Sequence, residues 1–296
     1  MYTSCTLCPR NCSANRATGE TGYCGMSDTI YLARASLHMW EEPCISGTNG
    51  SGTVFFTGCN LKCVFCQNYD IAVGQKGMPV KPDKLASLFL MLQDKGAHNI
   101  NLVTPSHYIP GIVQALTLAK NQGLTLPIVY NTSGYDSVSS LAMLDGLIDI
   151  YLPDFKYVSH HLSQRYSYAP DYFEVAKAAL AEMYHQIGSP VFDGDLLKKG
   201  IVVRHLLLPG CTRDSKAVIR YLYETYHDEI FISIMNQYTP LPQVSSYPEL
   251  NRKVTEAEYD EVVNFAIDLG VEQGFIQEGD TANESFIPDF DFTGLI

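Results

Sequence analysis

From residue 53 onward, short apolar runs alternate with segments whose apolar residues recur at helical spacing, and few folds accommodate that rhythm. The runs 53–57 (TVFFT), 99–104 (NINLVT), 127–131 (PIVYN), 147–152, 201–208 and 230–235 read as strands. Segments 84–95, 109–122, 137–144, 172–186, 215–226 and 256–269 read as helices, the first with Leu85, Leu88, Phe89 and Leu92 on one face. Six strand–helix units predict an α/β fold with parallel strands and right-handed crossovers. Six falls short of the eight of a closed barrel. The expectation is therefore a partial (β/α)6 barrel whose chemistry lies beyond the carboxyl ends of its strands.

Residues 1–30 read as a separate Cys-rich metal-binding segment ahead of a barrel domain spanning 31–296. Segment 30–40 reads as a strand or hairpin arm, followed by a Gly/Ser-rich turn at 47–52. All nine cysteines except Cys211 lie within the first 66 residues. An odd count in a long chain without a secretion signal makes a disulfide framework a poor account. Cys5, Cys8, Cys12 and Cys24 (C-x2-C-x3-C-x11-C) are four soft ligands in a stretch too small to fold unaided. Metal binding would supply the missing folding energy, and either zinc or a fully ligated iron–sulfur cluster suits four thiolates.

A second group follows the first strand of the series, in Gly58-Cys-Asn-Leu-Lys-Cys-Val-Phe-Cys-Gln-Asn68. Cys59, Cys63 and Cys66, spaced C-x3-C-x2-C, reach three corners of a cubane cluster from one loop. Clusters usually take four cysteines, so three leave one iron open, as a catalytic zinc keeps a position for substrate. The competing readings are a zinc site completed from elsewhere, or structural thiols.

GCNLKCVFCQN resembles the signature of the radical S-adenosylmethionine (radical SAM) superfamily, and GTVFFTGCNLKCVFCQN resembles the activating enzyme-like branch of its pyruvate formate-lyase activating enzymes. That resemblance implies a [4Fe–4S] cluster on Cys59, Cys63 and Cys66. S-adenosylmethionine chelates the open iron and is reductively cleaved to a 5′-deoxyadenosyl radical that abstracts hydrogen. It also implies that Phe65 lies against the adenine, with simple packing the alternative. The N-terminal cysteines are similar to the CxxCP-R-x-C opening of the same branch.

Later strand ends carry weaker matches. Where the family places Gly-Gly-Glu after the second strand, this chain has Thr104-Pro-Ser106-His107. Thr104 and Ser106 offer oxygen ligands there, or Ser106 caps a helix. Asn131-Thr132-Ser-Gly134 is similar to the family's Asp-Thr-Asn-Gly, and Leu152-Pro-Asp154-Phe-Lys156 to its Leu-Asp-Leu-Lys. The resemblance implies a monovalent cation site at Asn131, Thr132 and Asp154, and the asparagine removes one of its charges. Asp154 and Lys156 alternate about a strand end and so face one side, as a polar pair at a site mouth or a surface ion pair. Arg204, inside an apolar strand, needs a partner. The resemblance implies the S-adenosylmethionine carboxylate or ribose, and a structural salt bridge is the alternative. Gln237 stands nearest to the family's cofactor-contacting His. Glu41 and Glu42, just upstream of the Gly-rich turn with Cys44, read as an exposed acidic pair, with a place lining the pocket as the alternative; His107, His160, His161 and His185 read as surface or satisfied core groups.

A formal net charge of −12 argues against a nucleic-acid partner. The apolar runs are too short to span a bilayer, and the opening MYTSC lacks the parts of a secretory signal. A cytoplasmic location is expected. The resemblance implies an oxidoreductase acting on a protein or peptide, in one form a glycyl-radical enzyme, with flavodoxin or ferredoxin as external one-electron donor. The reading from a different class is a metal-stabilised binding or electron-transfer module without radical chemistry.

Overall fold

The computed structural model describes residues 1–277 and 288–296. Its strands are β1 (Ile30–His38), β2 (Ser51–Phe56), β3 (Met78–Val80), β4 (Ile100–Val103), β5 (Ile128–Thr132), β6 (Ile150–Pro153), β7 (Val191–Asp193), β8 (Leu196–Leu206), β9 (Phe231–Met235) and β10 (Gly274–Ile276). Its helices are α1 (Pro43–Ser46), α2 (Tyr69–Ala72), α3 (Pro82–Asp94), α4 (Ile109–Asn121), α5 (Val138–Leu141), α6 (His160–Ser167), α7 (Tyr172–Ile187), α8 (Thr212–Tyr226) and α9 (Glu256–Leu269). The sheet runs β10-β9-β8-β6-β5-β4-β2-β1-β3, and every pairing from β10 through β2 is parallel. β1 lies antiparallel on β2, and β3 antiparallel on β1. Among the described residues the two ends of this order do not pair, so the barrel stays open.

The six expected parallel strands stand side by side in that order, and β10 adds a seventh. Three-residue strands such as β3, β7 and β10 are too short to show a period of two. The β7–β8 hairpin left a readable trace, because Gly194-Asp195 between Asp193 and Leu196 is a two-residue turn signal. Helix α5 is shorter than expected and continues as a 3-10 turn over Ala142–Leu144.

The outer face is covered by the amphipathic helices. α3 buries Leu85, Ala86, Leu88, Phe89 and Leu92, and α4 buries Ile109, Ile112, Ala115, Leu116 and Ala119. Each fully buried large apolar side chain contributes about 1.5–3 kcal/mol. α9 starts at a capping box between Thr255 and Glu258 and stops at Gly270, whose φ is 97°.

The register decides what faces inward. Thr53 pairs with Asn101, Asn101 with Val129, Val129 with Ile150, Ile150 with Gly200, and Val202 with Phe231. Alternation then sends Val129, Ile150, Leu152 and Val202 to one inner layer, which Cys44 and Ile45 of α1 close from below together with Leu197. Two positions further along their strands come Phe55, Val103, Asn131, Asp154 and Arg204, with Met235 four beyond Phe231, and these open onto a cavity.

Residues 1–30 pack against the barrel. Leu7 O accepts from Ser137 Oγ (3.1 Å) and Ser140 Oγ (2.8 Å), while Cys24 and Met26 join the main core.

Gly134 shows how closely the strand ends approach one another. Its φ is +76°, and a Cβ there would sit 2.2 Å from Asp154 O. Gly134→Ala should cost about 2–4 kcal/mol in urea unfolding, combining left-handed strain with a backbone clash. Gly123→Ala is the control: φ is +101° with nothing within 4 Å of the added carbon, so only about 1–2 kcal/mol of strain is expected.

Candidate functional site

The cavity, of about 250 Å³, opens at the carboxyl ends of β2, β4, β5, β6, β8 and β9. Cys59, Cys63 and Cys66 form one wall; Thr104, Asn131, Thr132, Asp154, Lys156 and Gln237 also line it. The loop leaves β2 at Gly58, where φ is +90° and a Cβ would lie 3.0 Å from both Cys24 O and His107 Nε2. Only glycine meets both conditions without strain.

Long-range hydrogen bonds hold the loop at nearly every step. Asn60 Nδ2 donates to Tyr135 O (2.6 Å), and Asn60 O accepts from Arg10 Nε (2.8 Å). Val64 N donates to Tyr166 O (2.9 Å), Gln67 Nε2 to Gln237 O (2.6 Å), and Gln243 Nε2 to Cys66 O (3.0 Å). Ser167 Oγ donates to Cys63 Sγ at 3.0 Å. Burial pushes the thiols of Cys59 and Cys63 above their ordinary value and that of Cys66 up to about 12. For Cys63, Lys156 and the Ser167 hydroxyl work against that burial. A metal taking these sulfurs therefore displaces protons.

The donor set fits an iron–sulfur cluster. Three sulfurs share one wall, no fourth cysteine lines the described cavity, and polar strand ends face them. Among the described residues no three His, Cys, Asp or Glu side chains converge as ligands of a single ion. A cubane spreads its thiolates over separate irons.

The structure gathers nearly all the residues expected from sequence around this space. Phe65 is buried, with its ring 6.4 Å from that of Tyr238 and Lys156 Nζ 5.9 Å above it. Lys156 Nζ donates to Asp154 Oδ2 at 2.6 Å, with both side chains half-buried in the cavity wall. Burial disfavours the Lys156 charge, but Asp154 and Cys63 outweigh it and hold the ammonium above its ordinary range. Thr104 turns the chain at φ +60°, an outlier for a β-branched residue, and its N–H donates to Asn131 O (2.9 Å). Ser106 departs from both of its expected roles. It neither caps a helix nor reaches the cavity, but lies buried behind Thr132, the two hydroxyls 3.3 Å apart.

Glu41 and Glu42 correct the expectation of an exposed pair: their side chains are 7% and 6% exposed. The β1–β2 connection dips into the barrel and meets the inward-facing Arg204. Its Nε lies 2.9 and 3.1 Å from the Glu42 oxygens and its Nη2 contacts both glutamates; Asn101 Nδ2 donates to Glu41 Oε1 at 2.7 Å. Burial would raise the Glu42 carboxyl, but Arg204 holds it below its ordinary value. His107 and His205 are buried, and burial lowers them to about 3 and about 4, so both are neutral at pH 7. His160, His161 and His185 are exposed.

Sequence reading missed Asp136. Fully buried beneath Thr132, it accepts from Thr132 Oγ1 (2.6 Å) and Tyr130 Oη (3.1 Å). Its position four residues after Thr132 carries no pattern of its own. Ser167, whose only sequence signal is being a small polar residue between two tyrosines, was missed for the same reason.

Two predictions follow from these buried charges. Burial raises the Asp136 carboxyl above its ordinary value despite its three hydroxyl donors. Its stabilising contribution is present below about pH 4 and lost as pH rises through the folded value. Asp136→Asn should flatten that decline in the urea midpoint. Arg204→Met should cost about 3–5 kcal/mol by stranding two carboxylates, and adding Glu41→Gln and Glu42→Gln should recover most of the loss in the same unfolding measurement.

Comparison with known proteins agrees with this geometry. The Radical SAM superfamily profile matches residues 53–222. Uncharacterized protein MJ0674 of Methanocaldococcus jannaschii is 29% identical over 282 residues, 90% of this chain and 75% of that protein. Streptococcus suis SuiB bound to S-adenosylmethionine superposes with a TM-score of 0.52 at 13% identity, over 80% of this chain and 52% of SuiB. SuiB bound to its precursor peptide SuiA gives 0.52 at 14%, over 75% and 46%. Methylornithine synthase (PylB) gives 0.51 at 13%, over 71% and 59%. This chain thus spans about half the length of these solved chains, and at such identities the likeness is one of fold. With a three-cysteine loop at the mouth of an open parallel barrel and a profile match over more than half its length, the chain belongs to the radical SAM superfamily.

Proposed function

We propose that this chain cleaves S-adenosylmethionine reductively and abstracts hydrogen from a protein or peptide. The observation that carries the reading is the wall of Cys59, Cys63 and Cys66 facing polar strand ends across one cavity. Those three sulfurs would hold the [4Fe–4S] cluster. When bound, the cluster and S-adenosylmethionine supply the one-electron cleavage that yields a 5′-deoxyadenosyl radical.

The remaining work belongs to the chain's own side chains. Thr104, Asn131, Thr132 and Gln237 offer hydroxyls and amides to the polar groups of the methionine and ribose, and Phe65 a flat apolar surface to the adenine. Lys156, its charge fixed by Asp154, would offer a cation to the anionic groups held at this wall. Arg204 is engaged by Glu41 and Glu42, so in this reading it shapes the cavity floor rather than acting as the first carboxylate ligand. Asp136 orients the Thr132 hydroxyl from behind. The inner layer of α1 and the strands excludes water from below.

A macromolecular substrate is favoured by the rim, where Trp40 and Tyr69 are exposed at the opening. The net charge of −12 disfavours nucleic acid. Glycyl-radical installation in a partner enzyme is the form of the reaction suggested by the activating enzyme-like signature. Flavodoxin or ferredoxin is the matching electron donor, in a reducing cytoplasm.

Anaerobically reconstituted protein given dithionite and S-adenosylmethionine should produce 5′-deoxyadenosine, and Cys63→Ala should abolish it. Absence of that product, with an EPR spectrum of the reduced cluster that ignores added S-adenosylmethionine, would overturn the reading in favour of an electron-transfer module.

A further inference from the structure

The N-terminal segment contains a fully buried guanidinium with no carboxylate to balance it. Arg16 is 0% exposed. Its Nε donates to Met26 O (3.0 Å) and Ser27 O (3.1 Å), Nη2 to Ser27 O (2.6 Å), and Nη1 to His107 O (2.8 Å). The Tyr2 and Tyr108 rings lie 4.9 and 5.8 Å away. Among the described residues no Asp or Glu forms an ion pair with it. What faces its charge is sulfur: Nη1 reaches Cys5 Sγ at 3.6 Å, and Cys24 also acts on the guanidinium. A buried cation needs a buried anion, and neutral thiols do not provide one.

Two turns bring the four sulfurs into one neighbourhood. Cys5 N donates to Ala14 O (3.1 Å), Ser13 N to Cys5 O (3.0 Å), and Asn11 N to Cys8 O (3.1 Å), folding Cys12 back over Cys5 and Cys8. Gly25 N donates to Gly22 O (2.9 Å) around Cys24. A Cβ on Gly22 would lie 3.1 Å from Cys12 Sγ and 3.6 Å from Cys24 Sγ, so both sulfurs border the same gap. Cys5, Cys8 and Cys24 are buried, while Cys12 is exposed between the left-handed residues Asn11 and Ser13. The set is not closed on a single ion as it stands, and Cys12 is its one exposed member.

We propose that Cys5, Cys8, Cys12 and Cys24 bind a thiolate-ligated soft metal centre, with Arg16 as its buried counter-cation. Four thiolates leave either a zinc ion or a [4Fe–4S] cluster anionic, which is the charge Arg16 lacks. Binding releases the thiol protons to solvent and supplies folding energy to a segment with little core of its own. The centre also clamps the root of the cysteine loop. Arg16 Nη1 donates to His107 O, and His107 Nε2 pairs with Thr57 O at 2.8 Å; Cys24 O leaves no room for a side chain at Gly58; and Arg10 holds Asn60 O. The proposal does not depend on radical chemistry in the cavity.

The test uses the full chain carrying Cys59→Ala, Cys63→Ala and Cys66→Ala, so that any bound metal belongs to the N-terminal set. Elemental and sulfide analysis should find about one zinc per chain or about four irons with matching sulfide, which also separates the two chemistries. Adding Cys5→Ala and Cys8→Ala should remove it. Arg16→Met should weaken metal retention against a chelator by about 10- to 100-fold, and Arg16→Lys should restore part of it. The wild-type protein provides a readout independent of those variants: Cys12, exposed without metal, should resist alkylation until the metal is chelated. A metal-free triple variant with native circular dichroism, or a Cys12 that alkylates equally fast with and without chelator, overturns the proposal.

Discussion

Arg204, Glu41 and Glu42 meet at the level of the barrel where packing gives way to chemistry. Below them Val129, Ile150, Leu152 and Val202 pack dry against α1. Above them the same strands present Asn131, Asp154 and Met235 to a cavity. A guanidinium on an inner strand position is costly without compensation, and it is tolerated here because the β1–β2 connection delivers two carboxylates to it. That ion cluster ties the antiparallel edge of the sheet to β8, across the open barrel. The cavity keeps its floor because this tie fixes where α1 sits.

The cysteine loop depends on the same kind of control from outside its own sequence. Asn60, Val64, Cys66 and Gln67 each bond to a different part of the chain, and Ser167 reaches the Cys63 sulfur. Hydrogen bonds to sulfur are one of the ways a protein tunes a cluster. The opposite wall is supported by the buried group of Asp136, Thr132, Ser106 and Tyr130. A loop that carries chemistry is precise only when its supports are rigid. Here the supports come from the segments around residues 135, 167 and 240, and from Arg10 in the N-terminal segment.

Much of this was legible beforehand where the signal is periodic or local. The alternation from residue 53 specified the six parallel strands, and period-two reading placed Asp154 and Lys156 on one side of a strand end. The cysteine spacing pointed to a cluster-binding loop because three thiols within eight residues can reach one cubane. Glu41, Glu42, Asp136 and Ser167 were misread or missed because what makes them matter is burial against residues distant in the chain. Ser106 had a plausible local role as a cap, and tertiary packing gave it a different one behind Thr132.

By itself, the sequence determined the order of the six parallel strands and the long helices that follow them, the loop that carries the three cysteines and the end of the sheet where they emerge. Those depend on side-chain periodicity and on the handedness of crossovers, both of which operate over short stretches. Only the tertiary structure decided which charges are buried together, which hydroxyls support the cavity wall, and that the N-terminal cysteines lie against the root of the cysteine loop around Arg16, which meets no carboxylate among the described residues. These are contacts between elements tens to hundreds of residues apart, and their energies depend on solvent exclusion, which no local pattern encodes.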